Sequence, residues 1–198
     1  MTRYLVLDTA TDCGFAAVYD EDICLARRFT PEGGRNSSSM MQLLEEMRSE
    51  IKDLDFIGVG VGPGSYTGVR VGAVIAKMLK LSWKAPLVGI SSLAAYRSAD
   101  ERPFYAAFDG RISGAYLSLG GTAAPEALAL DLIPVGAHLV SPHISLKKRL
   151  EGFDVTFEHA APDCDAFARE ALSAYLAGRH SGDLEMLYLR PTQAELNL

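Results

Sequence analysis

Short alternating apolar segments open the chain and are separated by polar turns. Three of them, RYLVLD, GFAAVY and ICLARRF, follow one another from Arg3 with only TATDC and DED between them. Strands joined by connections this short pair with each other in antiparallel fashion. We therefore predict a three-stranded antiparallel meander at the start of the chain.

Helical periodicity then alternates with short apolar runs. Apolar residues recur at helical spacing at Met40, Leu43, Leu44, Met47 and Ile51, which predicts one amphipathic helix. FIGVGV and PLVGI are apolar runs of the length typical of buried strands. A second helix is predicted between them, from Tyr66 to Lys80, and a third in SSLAAYRS. The order β-β-β-α-β-α-β-α indicates a mixed sheet with helices on its faces.

The first hairpin has an echo in the second half of the chain. PFYAAFDGRISGAYLSLGG, from Pro103, repeats the order strand, Asp, polar turn, Gly, strand that RYLVLDTATDCGFAAVYDE shows. Asp8 and Asp109 fall at matching points, each a few residues before a glycine. Strand and helix candidates follow the second hairpin as well. We predict a duplicated, two-lobed α/β layout, with a first lobe over 1–100 and a more irregular second lobe over 101–198.

A glycine-rich loop lies between the strand FIGVGV and the next helix. In GPGSYTGVR, from Gly62, the spacing has one residue too many for a Walker A loop and the lysine is missing. The dinucleotide pattern G-x-G-x-x-G is also a near miss. Two alternatives stay open. Backbone amides at the helix N-terminus bind an anion, or Ser65 or Thr67 caps the helix while the glycines allow close packing.

The helix after this loop is apolar around most of its circumference. Its apolar residues are Val69, Val71, Val74, Ile75, Met78 and Leu79. Their arc is wider than one sheet face covers. Gly68, Gly72 and Ala76 also form a stripe of small residues, which lets another backbone approach. Burial within the chain and a helix-helix interface with a partner are both compatible with this pattern.

Two aspartates are candidates for chemistry at the strand ends. A carboxylate placed between two lobes, as expected for Asp8 and Asp109, suits a Mg²⁺ ion or a phosphate partner. The alternative is a turn-forming aspartate that bonds its own backbone. The residues predicted to contact a nucleotide or phosphate, if one binds, are Asp8, Thr9, Gly62, Gly64, Ser65 and Asp109. The histidines and cysteines have no metal-ligand spacing, so no metal site is predicted.

Composition and charge narrow the classes of function. With 198 residues, 48% of them hydrophobic and 22% charged, the chain is typical of a globular protein. Its net charge of -6 argues against a surface that neutralises many phosphates. Three cysteines in no paired spacing fit a reducing compartment, and we find no signal-peptide or membrane-span pattern. We expect a cytoplasmic protein without a membrane partner.

Four stretches together resemble the TsaB family, also called YeaZ. They are LVLDTAT from Leu5, GPGSYTGVRVG from Gly62, FDGRISGAY from Phe108 and YLRP from Tyr188. The resemblance implies a two-lobed actin-like fold of the ASKHA, or ribonuclease H-like, type, with mixed sheets flanked by helices and a reduced second lobe. It also implies a role in making N6-threonylcarbamoyladenosine (t6A), a modified base next to the anticodon of tRNA.

The resemblance further implies an accessory subunit rather than an enzyme. It implies pairing with the catalytic subunit TsaD, with the ATPase TsaE as third component and tRNA contacted only indirectly. The chain alone is then expected to form a homodimer and to bind no cofactor, while the complex uses ATP, Mg²⁺ and a metal in TsaD. The family's pairing surface is built from the first two helices of the first lobe. Here that partner interface is predicted at Met40, Leu44, Met47, Gly68, Arg70, Val71, Gly72, Val74, Ile75 and Met78.

A rival hypothesis is an enzyme of the same fold. It would be a stand-alone ATPase or small-molecule kinase that uses Asp8 and Asp109 together with the loop at Gly62. A peptidase is not supported, because no nucleophile with a nearby base and no metal-ligand pattern is visible.

Overall fold

Two mixed sheets organise the chain. The computed structural model describes residues 1–31, 36–100, 102–180 and 183–189, with only the backbone given for 36–38 and 113. The elements of the first half are β1 (Arg3–Asp8), β2 (Phe15–Asp20), β3 (Ile23–Phe29), α1 (Asn36–Glu46), β4 (Phe56–Gly60), α2 (Tyr66–Trp83) and β5 (Leu87–Ile90). Their strands form one sheet in the order β3-β2-β1-β4-β5. The predicted antiparallel meander is confirmed, and β4 and β5 extend it in parallel.

The second half builds a sheet of the same design. Its elements are β6 (Tyr105–Asp109), β7 (Ala115–Leu119), β8 (Glu126–Leu128), β9 (Ala137–Ser141), α3 (Ile144–Arg149), β10 (Val155–His159) and α4 (Cys164–Leu176). The order β8-β7-β6-β9-β10 repeats that of the first sheet, with the same antiparallel and parallel pairs. The repeated sequence pattern of the two hairpins therefore corresponds to a structural repeat. Its helical cover is slighter, since α3 has six residues.

The central strands β2, β1 and β4 of the first sheet are buried on both faces, which explains their apolar runs, whereas the edge strand β3 is largely exposed and carries Arg27 and Arg28. Leu5 and Leu7 point to the face covered by α1 and α2. Tyr4 and Val6 point to the opposite face, where α4 packs. Successive side chains of a strand alternate between the two faces, so a strand between two helical layers needs no polar positions.

The helix that covers this second face comes from the far end of the chain. The helix predicted in SSLAAYRS is wrong in length, because the structure has only one 3-10 turn there, Ser92–Ala95. All four of its residues are buried, and α4 packs against this turn and against β5. The chain halves 1–100 and 101–198 are thus interlocked, and the exact domain boundary stays a prediction. Among the described residues, no helix combines the length and apolarity needed to cross a bilayer.

Candidate docking face and inter-lobe cleft

The glycine loop ends in a conventional helix cap. The side chain of Ser65 accepts a hydrogen bond from the amide of Gly68 at 3.2 Å, which satisfies one of the free amides of the first turn of α2. The amide of Ser65 itself donates to the carbonyl oxygen of Ala10 at 2.8 Å. The cap predicted at this position is confirmed, and part of the loop's donor capacity is used within the chain.

The glycines of the loop and of α2 make room for the end of β1. A Cβ atom at Gly64 would lie 2.5 Å from the carbonyl oxygen of Ala10, and one at Gly72 would lie 2.6 Å from Oγ1 of Thr9. A Cβ at Gly68 would overlap the carbonyl oxygen of Thr9. The prediction that glycine allows close packing here is confirmed. Of the two alternatives left open for this stripe, the structure shows burial within the chain at Gly68 and Gly72, because Thr9 fills the space beside them.

Asp8 is buried beneath this junction. The amide of Ala10 donates to its Oδ1 at 2.5 Å, and only 4% of Asp8 is exposed. Burial raises the pKa of Asp8 to about 6, although the Ser92 hydroxyl and the Ala10 amide oppose this shift. A Cβ at Gly60 would overlap the Asp8 carboxylate, so this glycine gives the carboxylate its space. Asp8 thus occupies a pocket within the first lobe.

Asp109, at the matching point of the second lobe, is held by four groups. Its Oδ1 accepts from the amide of Arg111 at 2.8 Å and from the guanidinium of Arg149, and its Oδ2 accepts from Ser145 at 2.7 Å. Burial raises the pKa of Asp109, but these hydrogen bonds outweigh it and hold that pKa below its usual range. Its own amide donates to Nδ1 of His143 at 3.0 Å.

Both aspartates therefore bond a backbone amide two residues ahead, at Ala10 and at Arg111. This is the turn-forming role that the sequence left as an alternative, and it is confirmed at both sites. The two carboxylates otherwise differ, because Asp8 is enclosed, whereas Asp109 is also bonded by Arg149 at Oδ1 and by Ser145 at Oδ2. No group of three or more His, Cys, Asp or Glu able to hold a metal is found in the described part of the chain.

A polar cleft of about 540 Å³ lies between the two lobes. Of the predicted phosphate contacts, Gly64, Ser65 and Asp109 line it. Asp8, Thr9 and Gly62 do not line the cleft, and their contact with a nucleotide or phosphate stays a prediction. His143 lines the cleft with a pKa lowered by burial, and its Nδ1 accepts from the Asp109 amide. Because Nδ1 accepts this bond, the imidazole is neutral and carries its proton on Nε2.

An apolar groove of about 500 Å³ runs along the outer surface of α1 and α2. Thr67 and Ile75 line part of this groove, and we call its six other lining residues the docking face: Met41, Tyr66, Arg70, Val71, Val74 and Met78. Val74 is 57% and Met78 is 55% exposed. A contiguous apolar groove with a polar rim is characteristic of an interaction site on a single chain.

The predicted partner interface divides into an inner and an outer set. The inner set is buried in this chain and consists of Met40, Leu44, Met47, Gly68, Gly72 and Ile75. These residues pack in the core under α1 and α2, so their predicted place on the partner surface is corrected, except that Ile75 forms the floor of the groove. The outer set, Arg70, Val71, Val74 and Met78, lines the docking face.

Two residues of the docking face were missed from the predicted interface, although a sequence signal for one exists. Tyr66, Arg70, Val74 and Met78 recur every four residues along α2. This outer stripe is offset by two positions, or about 200°, from the small stripe that begins at Gly68. Met41 of α1 lines the same groove. Its neighbour Met40 is fully buried, and successive residues of a helix point in different directions, so Met41 is exposed.

Comparison of the sequence with protein families and with curated proteins identifies relatives of this chain. The family model described as "TsaD: tRNA N6-adenosine threonylcarbamoyltransferase" matches residues 36–165. The "tRNA threonylcarbamoyladenosine biosynthesis protein TsaB" of Escherichia coli (strain K12) is 32% identical over 122 residues, or 58% of this chain and 53% of that protein. The protein of the same description from Bacillus subtilis (strain 168) is 34% identical over 113 residues, or 55% and 47%. The chain thus spans about half the length of the curated relatives it matches.

The fold agrees with that of solved structures. One is described as an "uncharacterized protein with similarity to peptidase YEAZ from Pseudomonas aeruginosa", with a TM-score of 0.76, 22% identity, and 96% of this chain and 100% of that chain covered. A second, "YeaZ from Pseudomonas aeruginosa", has a TM-score of 0.72 and 19% identity over 96% and 100%. These findings confirm the resemblance that the four motifs indicated, and the two-lobed fold.

Proposed function

Since this chain belongs to the family described as TsaD, tRNA N6-adenosine threonylcarbamoyltransferase, we propose that it is a non-catalytic partner subunit in t6A synthesis. It pairs with a TsaD-like catalytic subunit through the docking face, and a TsaE-like ATPase is the third component. The observation that carries this proposal is the uncovered outer stripe of α2, with Val74 and Met78 more than half exposed.

Charge favours a different protein as the occupant of the docking face over a second copy. The helix α2 contains Arg70, Lys77 and Lys80 but no acidic residue, although the whole chain has a net charge of -6. A partner with acidic residues around an apolar patch complements this face. In a two-fold pairing of two copies, each contact is repeated by symmetry and brings the two Arg70 side chains into one interface. The homodimer is therefore proposed as the weaker association, formed when the chain is alone.

The absence of catalysis by this chain is proposed from the state of its two strand-end aspartates. Asp8 is enclosed in the first lobe and Asp109 is paired with Arg149. The rival ATPase or kinase would use both carboxylates in the cleft, and Asp8 does not line it. We accordingly assign ATP, Mg²⁺ and the catalytic metal to the other subunits. This chain is proposed to contact tRNA only indirectly, through its partners.

The test is reconstitution with the TsaD-like and TsaE-like proteins of the same organism. Calorimetric titration is expected to give a one-to-one complex with the TsaD-like protein, and t6A formation on tRNA is expected to need this chain. The isolated chain is expected to hydrolyse no ATP. Equal t6A formation with and without the chain would contradict the proposal, and ATP turnover by the chain alone would favour the kinase-like enzyme.

A further inference from the structure

The segment Asp183–Leu189 lies against the first lobe, and we call it the C-terminal strap. The amide of Leu187 donates to the carbonyl oxygen of Val61 at 2.8 Å, just before the glycine loop. Asp183 pairs with Lys77 of α2 at 3.5 Å. The strap thus runs from the side of α2 to its N-terminal end. It includes Tyr188 of the motif YLRP, whose Arg190 and Pro191 lie outside the described residues.

Tyr188 reaches the docking face through one contact. Its ring lies against the ring of Tyr66, with the centroids 5.5 Å apart. Tyr66 is also contacted by Arg70. The Arg70 guanidinium donates a hydrogen bond to the Tyr66 hydroxyl at 2.5 Å, and the guanidinium carbon Cζ lies 5.2 Å from the centroid of the Tyr66 ring. Tyr66 is therefore held by two residues, of which one is on α2 and the other is more than a hundred positions away in sequence.

Tyr66 occupies the wall between the two depressions of the surface. It lines both the apolar groove and the inter-lobe cleft, and it is about half exposed. A half-exposed aromatic side chain at the first position of a helix has few neighbours to restrict its χ1 rotamer. The contacts that hold the Tyr66 ring therefore determine the shape of this end of the groove.

We propose that Tyr188 is a positioning residue for the docking face, because it fixes the ring of Tyr66 beside Arg70 and so keeps the groove open for the TsaD-like partner. This inference rests on the proposed function, since the partner is the one named there. Tyr188 acts through Tyr66 and not through direct contact with the partner. Binding of the partner then depends on the strap as well as on α1 and α2.

The test is a mutant cycle on the full chain with the TsaD-like protein as titrant. Tyr188→Ala is expected to weaken binding about three- to tenfold, the range that corresponds to the loss of one aromatic pair. Tyr188→Phe, which keeps the ring, is expected to bind like the wild type. In a Tyr66→Ala background, Tyr188→Ala is expected to have no further effect. Glu185→Ala, an exposed change in the same strap, serves as the matched control.

Each outcome decides one question. If the wild type binds the partner and Tyr188→Ala binds it with the same affinity, the inference is overturned and the proposed function is unaffected. A further loss in the Tyr66→Ala background would show direct contact by Tyr188, which also overturns its positioning role. If the wild type does not bind the TsaD-like protein, the proposed function itself is contradicted. Urea unfolding of each variant separates a loss of fold from a loss of contact, and a weaker Tyr188→Phe with an intact fold would contradict the role of the ring.

Discussion

The hydroxyl of Thr9, just after β1, donates a hydrogen bond to the carbonyl oxygen of Gly68 in the first turn of α2, over 2.7 Å. This bond is buried and joins two segments that are 59 positions apart. It is possible because Gly68 has no side chain to keep the strand end away. The small stripe of α2 is thereby held against β1, and the opposite stripe, with Val74 and Met78, faces outward.

Gly68→Ala is expected to destabilise the fold by about 3 kcal/mol, because the new methyl group would overlap a backbone oxygen that cannot rotate away. Gly72→Ala is expected to cost less, since its methyl group meets the side-chain Oγ1 of Thr9. Urea unfolding of both variants measures the difference.

Thr9→Ala distinguishes the two clashes. In this background Gly72→Ala is expected to lose most of its cost, because the obstructing hydroxyl is gone. Gly68→Ala is expected to keep its cost, because the Thr9 carbonyl oxygen remains. Equal rescue of both variants would show that the strand end does not determine the need for glycine.

Val74→Asp is expected to weaken binding of the TsaD-like partner by about 100-fold or more, because a charge without a partner would be buried in an apolar contact. Val135→Asp is the matched control, since Val135 is 82% exposed in a turn of the second lobe and is remote from the docking face. Both variants are expected to keep the wild-type free energy of unfolding within about 0.5 kcal/mol. Similar affinities for the two variants, measured by calorimetry, would remove the docking face from the proposal.

Asp8 is expected to make stability fall as the pH rises. Burial raises the pKa of its carboxyl group from an ordinary value of 3.8 to about 6 in the folded chain, so the folded state holds the proton more tightly. The stabilisation is present below pH 4 and is lost as the pH rises through 6. Relative to Asp8→Asn, the wild type is expected to lose about 2 kcal/mol between pH 4 and pH 7. Urea unfolding at both pH values tests this, and a pH-independent difference between the two proteins would contradict it.

Glu158 is expected to hold the linker between the sheets. It accepts hydrogen bonds from the Ala99 amide at 2.8 Å and from Ser98 at 2.9 Å, and its Oε2 lies 2.9 Å from Nε2 of His138. Glu158→Ala is expected to cost about 2 kcal/mol, because several donors lose their acceptor. The exposed Glu151 provides the control, with Glu151→Ala expected near zero. Thermal unfolding compares the two, and equal midpoints would show that the cluster contributes nothing.

The local pattern was sufficient for most elements. Alternating apolar residues located the strands of the meander, and the repeat of Asp8 at Asp109 indicated two similar lobes. The periodicity from Met40 located α1, although the helix ends at Glu46 and the predicted positions Met47 and Ile51 lie beyond it. These features depend on interactions between near neighbours along the chain, which is why the sequence displays them. The third predicted helix failed because α4, from the far end, covers the sheet and leaves room for only a 3-10 turn at Ser92.

The tertiary structure decided which side of α2 stays exposed. The sequence contains two stripes on this helix at four-residue spacing, one through Gly68 and one through Val74, and nothing local distinguishes their directions. The approach of Thr9 places the first stripe inward, and the strap places Tyr188 beside the second. Both contacts join residues distant in sequence, so their geometry arises only when the whole chain packs. The sequence by itself determined the apolar helix and its glycines, and folding determined the surface that they leave exposed.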